Sequence, residues 1–129
     1  MEKRLNSEFV ARYPYAAEMY QNSVELLETG MVAKSLLSAR IALEAFVQYA
    51  CREYELEIYT TGDEPLLKNR TDALHENGFI SEQEATAMHR ARLLGNKGAH
   101  AVGGSVDLTD AQEVINLLTT VFDAFPKRI

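Results

Sequence analysis

A stretch in the middle of the chain is apolar over most of a helix circumference, and this feature constrains the fold most. The pattern predicts a helix from about Val32 to Tyr54. A helix that is apolar over such a wide arc has to be surrounded by other elements. The sequence therefore predicts a central, mostly buried helix, whose apolar positions are Leu36, Leu37, Ala39, Ile41, Leu43, Phe46, Val47, Ala50, Cys51 and Tyr54.

Proline and glycine residues mark the helices before and after this central one. The sequence predicts a helix that begins at Pro14 and ends at Gly30, after a segment, residues 1–13, that is loosely ordered or a short helix. Another helix is expected over residues 64–76, beyond a loop at residues 55–63, with Pro65 in its first turn and Gly78 past its end.

Two capping boxes predict the last two helices. Ser81 and Glu84 begin a helix that we expect to continue to His100, although Gly98 weakens its far end. After a loop at residues 101–108, the second box begins at Thr109 and opens a helix with a 3.6-residue apolar period. No segment has the pattern of a strand. We therefore expect an all-α, compact bundle of about five helices, a single domain over residues 1–129 with its core at about 14–125.

Composition and motifs exclude several classes of protein. The chain has 129 residues, 47% hydrophobic and 25% charged, which is typical of one globular domain. No apolar run approaches a membrane span and the start has no signal core, so we expect a cytoplasmic protein without membrane contact. The lone Cys51 agrees with this and is interpreted as a core residue. The three histidines lack metal-ligand spacing and there is no phosphate-binding loop, so neither metal nor cofactor is expected.

Charge is distributed unevenly along the chain. The formal net charge of −6 argues against broad, non-specific binding of nucleic acid. Between Glu84 and Asp107, however, there is no acidic residue. This segment is either a basic patch that binds an anion or a chance gap in the acidic residues. Its candidate binding residues are His89, Arg90 and Lys97.

Arg92, Asn96 and His100 are spaced four residues apart within this segment. If one helix continues through them, successive members turn by only about 40° around its axis and share one narrow stripe. An Arg stabilises charge on a phosphate, a His transfers protons near neutral pH and an Asn orients either group. These residues are our candidate catalytic site, and the alternative is an internal network of hydrogen bonds.

Two charged residues, Arg40 and Glu44, fall inside the apolar arc of the central helix. Burying a charge without a partner is costly. They pair either with each other or with another helix, and Arg92 is the cation that we expect Glu44 to meet. The sequence thus predicts a buried polar network of Arg40, Glu44 and Arg92.

Two parts of the sequence are similar to a known family. Ala39–Glu44, followed by Arg92–His100 with its Gly-Asn-Lys-Gly-Ala-His core, resembles a bacterial family of domains of unknown function. That family occurs alone and at the N-terminus of many type I restriction enzyme R subunits, and it looks like a member of the wider HEPN superfamily. The resemblance covers about residues 20–125. It implies a helical bundle, frequent homodimers and a setting in restriction or antiviral defence.

The resemblance also bears on catalysis. In catalytic HEPN domains a helix-borne Arg and His form a metal-independent ribonuclease site at the dimer interface, which would correspond to Arg92 and His100. Those enzymes separate the two residues by fewer positions than the seven found here, and Leu93 stands where they have a polar residue. These departures argue against ribonuclease activity.

Three hypotheses of function follow. The first is a non-catalytic HEPN-like module of a restriction or defence system that binds a partner protein, itself or nucleic acid through residues 85–106. The second is a metal-independent endoribonuclease that uses Arg92 and His100. The third is a bundle that binds a small ligand or a nucleotide.

Overall fold

The computed structural model describes residues 5–58, 66–99 and 107–125, and in these ranges it contains six helices and no strand. The all-α prediction is confirmed, with one helix more than the five expected. Within the same ranges, no helix has both the length and the apolar character needed to cross a membrane. The helices are α1 (Ser7–Arg12), α2 (Pro14–Glu28), α3 (Val32–Glu53), α4 (Leu67–Glu76), α5 (Glu82–Ala99) and α6 (Leu108–Asp123).

The additional helix is the short α1. Asn6 caps it by accepting a hydrogen bond from the backbone N–H of Phe9 at 2.8 Å, and its amide donates to the carbonyls of Asp123 and Phe125. The Phe9 ring is fully buried and stacks on Phe122 with 4.5 Å between ring centroids. Burial of the Phe9 ring attaches the residues before Pro14 to the core. The polar residues around Phe9 in the sequence do not indicate this contact.

Helix α3 is the central helix, because it packs against α2, α4, α5 and α6. Its inner side is fully buried at Leu36, Leu43 and Phe46, as the apolar arc predicts. The arc is narrower than predicted, since Leu37 is 40% exposed. Cys51 is 4% exposed, and desolvation raises the pKa of its thiol to about 11, so it remains protonated as a core residue.

The beginnings of α5 and α6 differ in how well they were predicted. Ser81 and Glu84 form the expected capping box, with reciprocal bonds of 3.0 and 2.9 Å. The box predicted at Thr109 is wrong, because α6 already begins at Leu108. Asp107 is in extended conformation there and its carboxylate accepts from the N–H of Asp110 at 2.9 Å. A carboxylate satisfies the first free N–H groups of a helix as well as a threonine hydroxyl does.

Helices α3 and α5 are in close contact at Gly95. A Cβ atom placed on Gly95 would lie 2.9 Å from Cβ of Arg40 and 3.6 Å from its Cα. These are atoms at the base of the Arg40 side chain, which cannot rotate away from the contact. Gly95 therefore permits a helix crossing that any larger residue would push apart. The same crossing places Arg92 and Asn96, which are close to Gly95 on α5, near α3.

We expect Gly95→Ala to destabilise the protein. Alanine in place of glycine within a helix stabilises by about 1 kcal/mol, but overpacking at a close crossing costs roughly 1–3 kcal/mol. The net effect should be a lower free energy of unfolding, measured by urea denaturation. Thr86→Ala is the control, because Thr86 is exposed on the same helix, and it should be neutral or slightly stabilising. A Gly95→Ala variant more stable than wild type would show that the crossing of α3 and α5 accommodates a methyl group without strain.

Candidate anion-binding site

Arg92 and Asn96 lie one turn apart on α5 and line the same cavity, which has a volume of about 340 Å³. The structure thus brings together two members of the predicted stripe. Helix α5 continues through Gly95 and Gly98 to Ala99, as expected. His100, the third member, lies outside the described residues.

The cavity lies between α3, α5 and the beginning of α4, and most of its charged residues are cations. Four are basic and one is acidic, on a chain whose net charge is −6. Asn96 and Gln48 add two side-chain amides. We call this cavity the cationic groove, and its lining residues are Arg40, Glu44, Val47, Gln48, Leu66, Leu67, Lys68, Arg70, Arg92 and Asn96.

The acid of the cationic groove pairs with a residue of its own helix. Nε of Arg40 lies 3.1 Å from Oε1 of Glu44, and the two side chains are 33% and 40% exposed. Arg40 and Glu44 therefore pair with each other, which is one of the alternatives that the sequence leaves open, and the pair is not buried. The expected ion pair between Glu44 and Arg92 is not found among the described residues. The physical reason is that Glu44 lies at the rim of the groove, where water solvates its carboxylate and no partner from another helix is needed.

Arg92 has no partner among the residues that the structure describes. Its Nε is buried without a hydrogen bond, and the side chain forms no ion pair. Nε of Arg40 also lacks a well-aligned hydrogen bond, so its contact with Glu44 is an ion pair only. A buried donor left unsatisfied costs about 1–3 kcal/mol. A ligand with acceptor oxygens in the groove would remove this penalty.

The three predicted binding residues of the basic segment contact acidic residues of other helices, Arg90 and Lys97 in ion pairs and His89 in a hydrogen bond. Arg90 contacts Glu113 at 2.8 Å, Lys97 contacts Asp110 at 3.0 Å, and His89 contacts Asp72 at 2.8 Å. Hydrogen bonds from Arg90 and Lys97 lower the pKa values of the carboxylates on α6. Of the lysine and arginine residues that the structure describes in this segment, Arg92 alone is therefore left without a partner. The acids that contact Arg90, Lys97 and His89 come from α4 and α6, which one segment of sequence does not reveal.

The lysines and arginines of the described ranges form two groups, those with a partner and those without. Those in ion pairs are Arg12, Arg40, Lys68, Arg90 and Lys97. Those with neither an ion pair nor a side-chain hydrogen bond are Lys34, Arg52, Arg70 and Arg92.

Three of these unpaired cations lie on one continuous surface. Arg70 and Arg92 line the cationic groove, and Arg70 also lines an adjoining cavity of about 500 Å³ together with Arg52. Gln48 lines both cavities and lies at their junction. Sequence reasoning missed Arg52 and Arg70. A signal was present for Arg70, because the residues three and four positions away on either side are all apolar and offer it no acid.

The site offers nitrogen donors rather than metal ligands. Within the described ranges, no group of three histidine, cysteine or acidic side chains is arranged to hold a metal ion. Guanidinium groups bind carboxylate and phosphate oxygens through paired hydrogen bonds. The arrangement is therefore suited to an anion.

Comparison with protein families gives one match, over residues 21–126, to a domain of unknown function named DUF4145. The chain belongs to this family. The matched residues include every member of the cationic groove, and the match confirms the domain-of-unknown-function part of the resemblance. Comparisons with curated proteins and with solved structures gave no match.

We expect Arg92→Met to leave the stability of this family member unchanged or to raise it by up to about 1 kcal/mol. The substitution keeps an unbranched chain in the groove wall and removes a donor that has no partner. Thermal unfolding measures the effect, and Leu94→Ala on the same helix is the sensitivity control. Leu94 is 2% exposed, so its truncation should cost roughly 2–5 kcal/mol. A loss above about 2 kcal/mol for Arg92→Met would mean that the guanidinium has a stabilising partner.

Proposed function

We propose that this chain is a non-catalytic, HEPN-like helical module of a bacterial restriction or antiviral defence system, and that it binds nucleic acid through phosphate groups in the cationic groove. The observation that carries the proposal is that Arg70 and Arg92 line one groove and have no partner within the described protein. Phosphate is the ligand whose paired oxygens match the guanidinium fork.

The excess of acid on the rest of the chain supports this assignment. The chain has 19 acidic and 13 basic side chains, so carboxylate partners are abundant. Even so, Arg52, Arg70 and Arg92 have no partner among the described residues, and they share adjoining cavities. A local cationic surface on an acidic body directs an anionic ligand to one place and repels it elsewhere. This accommodates the net charge that argues against broad nucleic-acid binding.

The biological setting comes from the resemblance of Arg92–His100 and Ala39–Glu44 to the family. The proposal accordingly includes the HEPN affiliation, a cytoplasmic restriction or defence complex, and a homodimer or another protein subunit as partner.

We expect purified protein to show no cleavage of RNA in the presence of a chelator. Helix α5 is unbroken from Arg92 to Ala99, and an ideal helix rises roughly 10 Å over these seven steps. A general acid or base has to come within about 3 Å of the proton that it transfers. The assay uses structured and unstructured RNA, with Arg92→Ala and His100→Ala as controls. Robust cleavage by wild type that both substitutions abolish would make the protein a ribonuclease.

We expect Arg70→Ala and Arg92→Ala each to weaken binding of a labelled oligonucleotide about tenfold. Each variant should also reduce the slope of log K against log salt concentration by about 0.7–0.9, because one phosphate contact is lost. Fluorescence anisotropy over a salt series measures both quantities.

Lys34→Ala is the matched control for these variants. Lys34 is exposed and unpaired on α3, but it is not part of the groove. An equal loss of affinity in Lys34→Ala would show that binding is a general effect of charge. Competition with free nucleotide and inorganic phosphate then distinguishes a polymer ligand from a small one.

A further inference from the structure

A second cavity adjoins the cationic groove and has a different chemical character. It has a volume of about 350 Å³ and lies between the beginning of α2 and the outer side of α3. Glu44 and Gln48 line both this cavity and the cationic groove, so the two are continuous. We call it the tyrosine cavity, and its lining residues are Tyr13, Pro14, Tyr15, Ala16, Ile41, Glu44, Ala45, Gln48, Tyr49 and Arg52.

Two of its aromatic rings are available to a ligand. Tyr15 is 55% exposed and Tyr49 is 53% exposed. The Tyr49 ring is held in place, because it meets the ring of Tyr13 edge-on, with 6.1 Å between centroids and 88° between planes. Tyr13 is itself buried, and its hydroxyl donates to Glu53 at 3.0 Å. The exposed ring is thus supported from behind by a fixed one.

Unpaired arginines flank the exposed rings on two sides. Arg52 lines the tyrosine cavity and also the cavity that contains Arg70. Arg92 lies in the cationic groove on the other side of Glu44 and Gln48. The surface consequently offers unpaired guanidinium groups and exposed aromatic rings in adjoining cavities, with Glu44 and Gln48 where the cavities meet. A single strand carries the matching groups, because its charged phosphates and flat, unpaired bases follow one another.

We infer that the ligand is a single-stranded nucleic acid, with its phosphates on Arg70 and Arg92 and an adjacent base in the tyrosine cavity against Tyr49. The inference rests on the proposed function, since it assigns the class of nucleic acid bound at the same surface. Bases of a duplex are paired and stacked on one another, so they do not enter a side cavity, whereas unpaired bases stack on protein rings. An acidic peptide would match the arginines and leave the aromatic cavity without a role.

The test uses the full chain and a labelled oligoribonucleotide of roughly 10 nucleotides, within the usual site size for single strands. A duplex of the same length and a poly-glutamate peptide are the alternative ligands. We expect Tyr49→Leu to weaken single-strand binding about tenfold, within the range that one stacked base contributes. The salt dependence should stay unchanged, because no phosphate contact is lost. Tyr49→Phe should restore the affinity, since stacking needs the ring and not the hydroxyl.

A second variant tests whether the loss of affinity is limited to position 49. Tyr15→Leu should also weaken single-strand binding, and it changes α2 rather than α3. Both tyrosines are exposed, so thermal unfolding should show that the variants fold. Leu93→Ala is the control for loss of an exposed apolar side chain outside both cavities.

The outcomes separate this inference from the proposed function. Single strands bound more tightly than duplex, with the loss in Tyr49→Leu and the recovery in Tyr49→Phe, support both. Equal affinity for single strand and duplex, unaffected by Tyr49→Leu but weakened by Arg70→Ala, overturns the inference and leaves the proposed function standing. No oligonucleotide binding, or tighter binding of poly-glutamate, overturns both.

Discussion

The close crossing of α3 and α5 at Gly95 is the contact on which the rest of the site depends. Because Gly95 has no Cβ, the backbone of α5 lies against the base of the Arg40 side chain. Arg92 and Asn96 stand on either side of Gly95 in the sequence and line the groove that also contains Arg40. A wider crossing would displace both from α3 and separate the groove wall on α5 from the wall on α3.

Ion pairs between the outer helices then determine which cations remain for a ligand. Arg90 and Lys97 are bound by acids of α6, and His89 by an acid of α4. The two ion pairs each contribute little to stability, but together with the hydrogen bond of His89 they occupy three side chains of α5 that an anion would otherwise contact. What is left is Arg92, whose Nε is buried without a partner. Selectivity for one place on an acidic chain arises from this pairing rather than from the number of basic residues.

The sequence predicts features that depend on neighbours along the chain and misses those that depend on neighbours in space. The apolar arc of α3 and the capping box at Ser81 follow from local patterns, and the four-residue spacing of Arg92 and Asn96 correctly places both on one side of α5. The partner of Arg90 is Glu113 on a different helix, and nothing near Arg90 in the sequence indicates that pairing.

Contacts in space also decide between two pairs of alternatives that the sequence leaves open. The burial of Phe9 against Phe122 orders α1 through a contact between the two ends of the chain, which the polar residues around Phe9 do not reveal. The pairing of Glu44 with Arg40 follows from exposure at the groove rim. Every turn of α3 contains apolar residues, so the sequence alone indicates that Glu44 is buried.

The exposure of Glu44 explains why one helix serves both the core and the binding surface. Ile41, Glu44, Gln48 and Arg52 recur at three- and four-residue intervals, so they form one stripe on α3. The surrounding helices leave this stripe uncovered, and it lines the cationic groove, the tyrosine cavity and the cavity between them. The polar members of this stripe, Glu44, Gln48 and Arg52, have to reach solvent or a ligand, because burial without a partner is costly. Polar residues that recur every turn along this helix are therefore the sequence signal that locates the site. It leads to Gln48 and Arg52, which the spacing of Arg92, Asn96 and His100 does not.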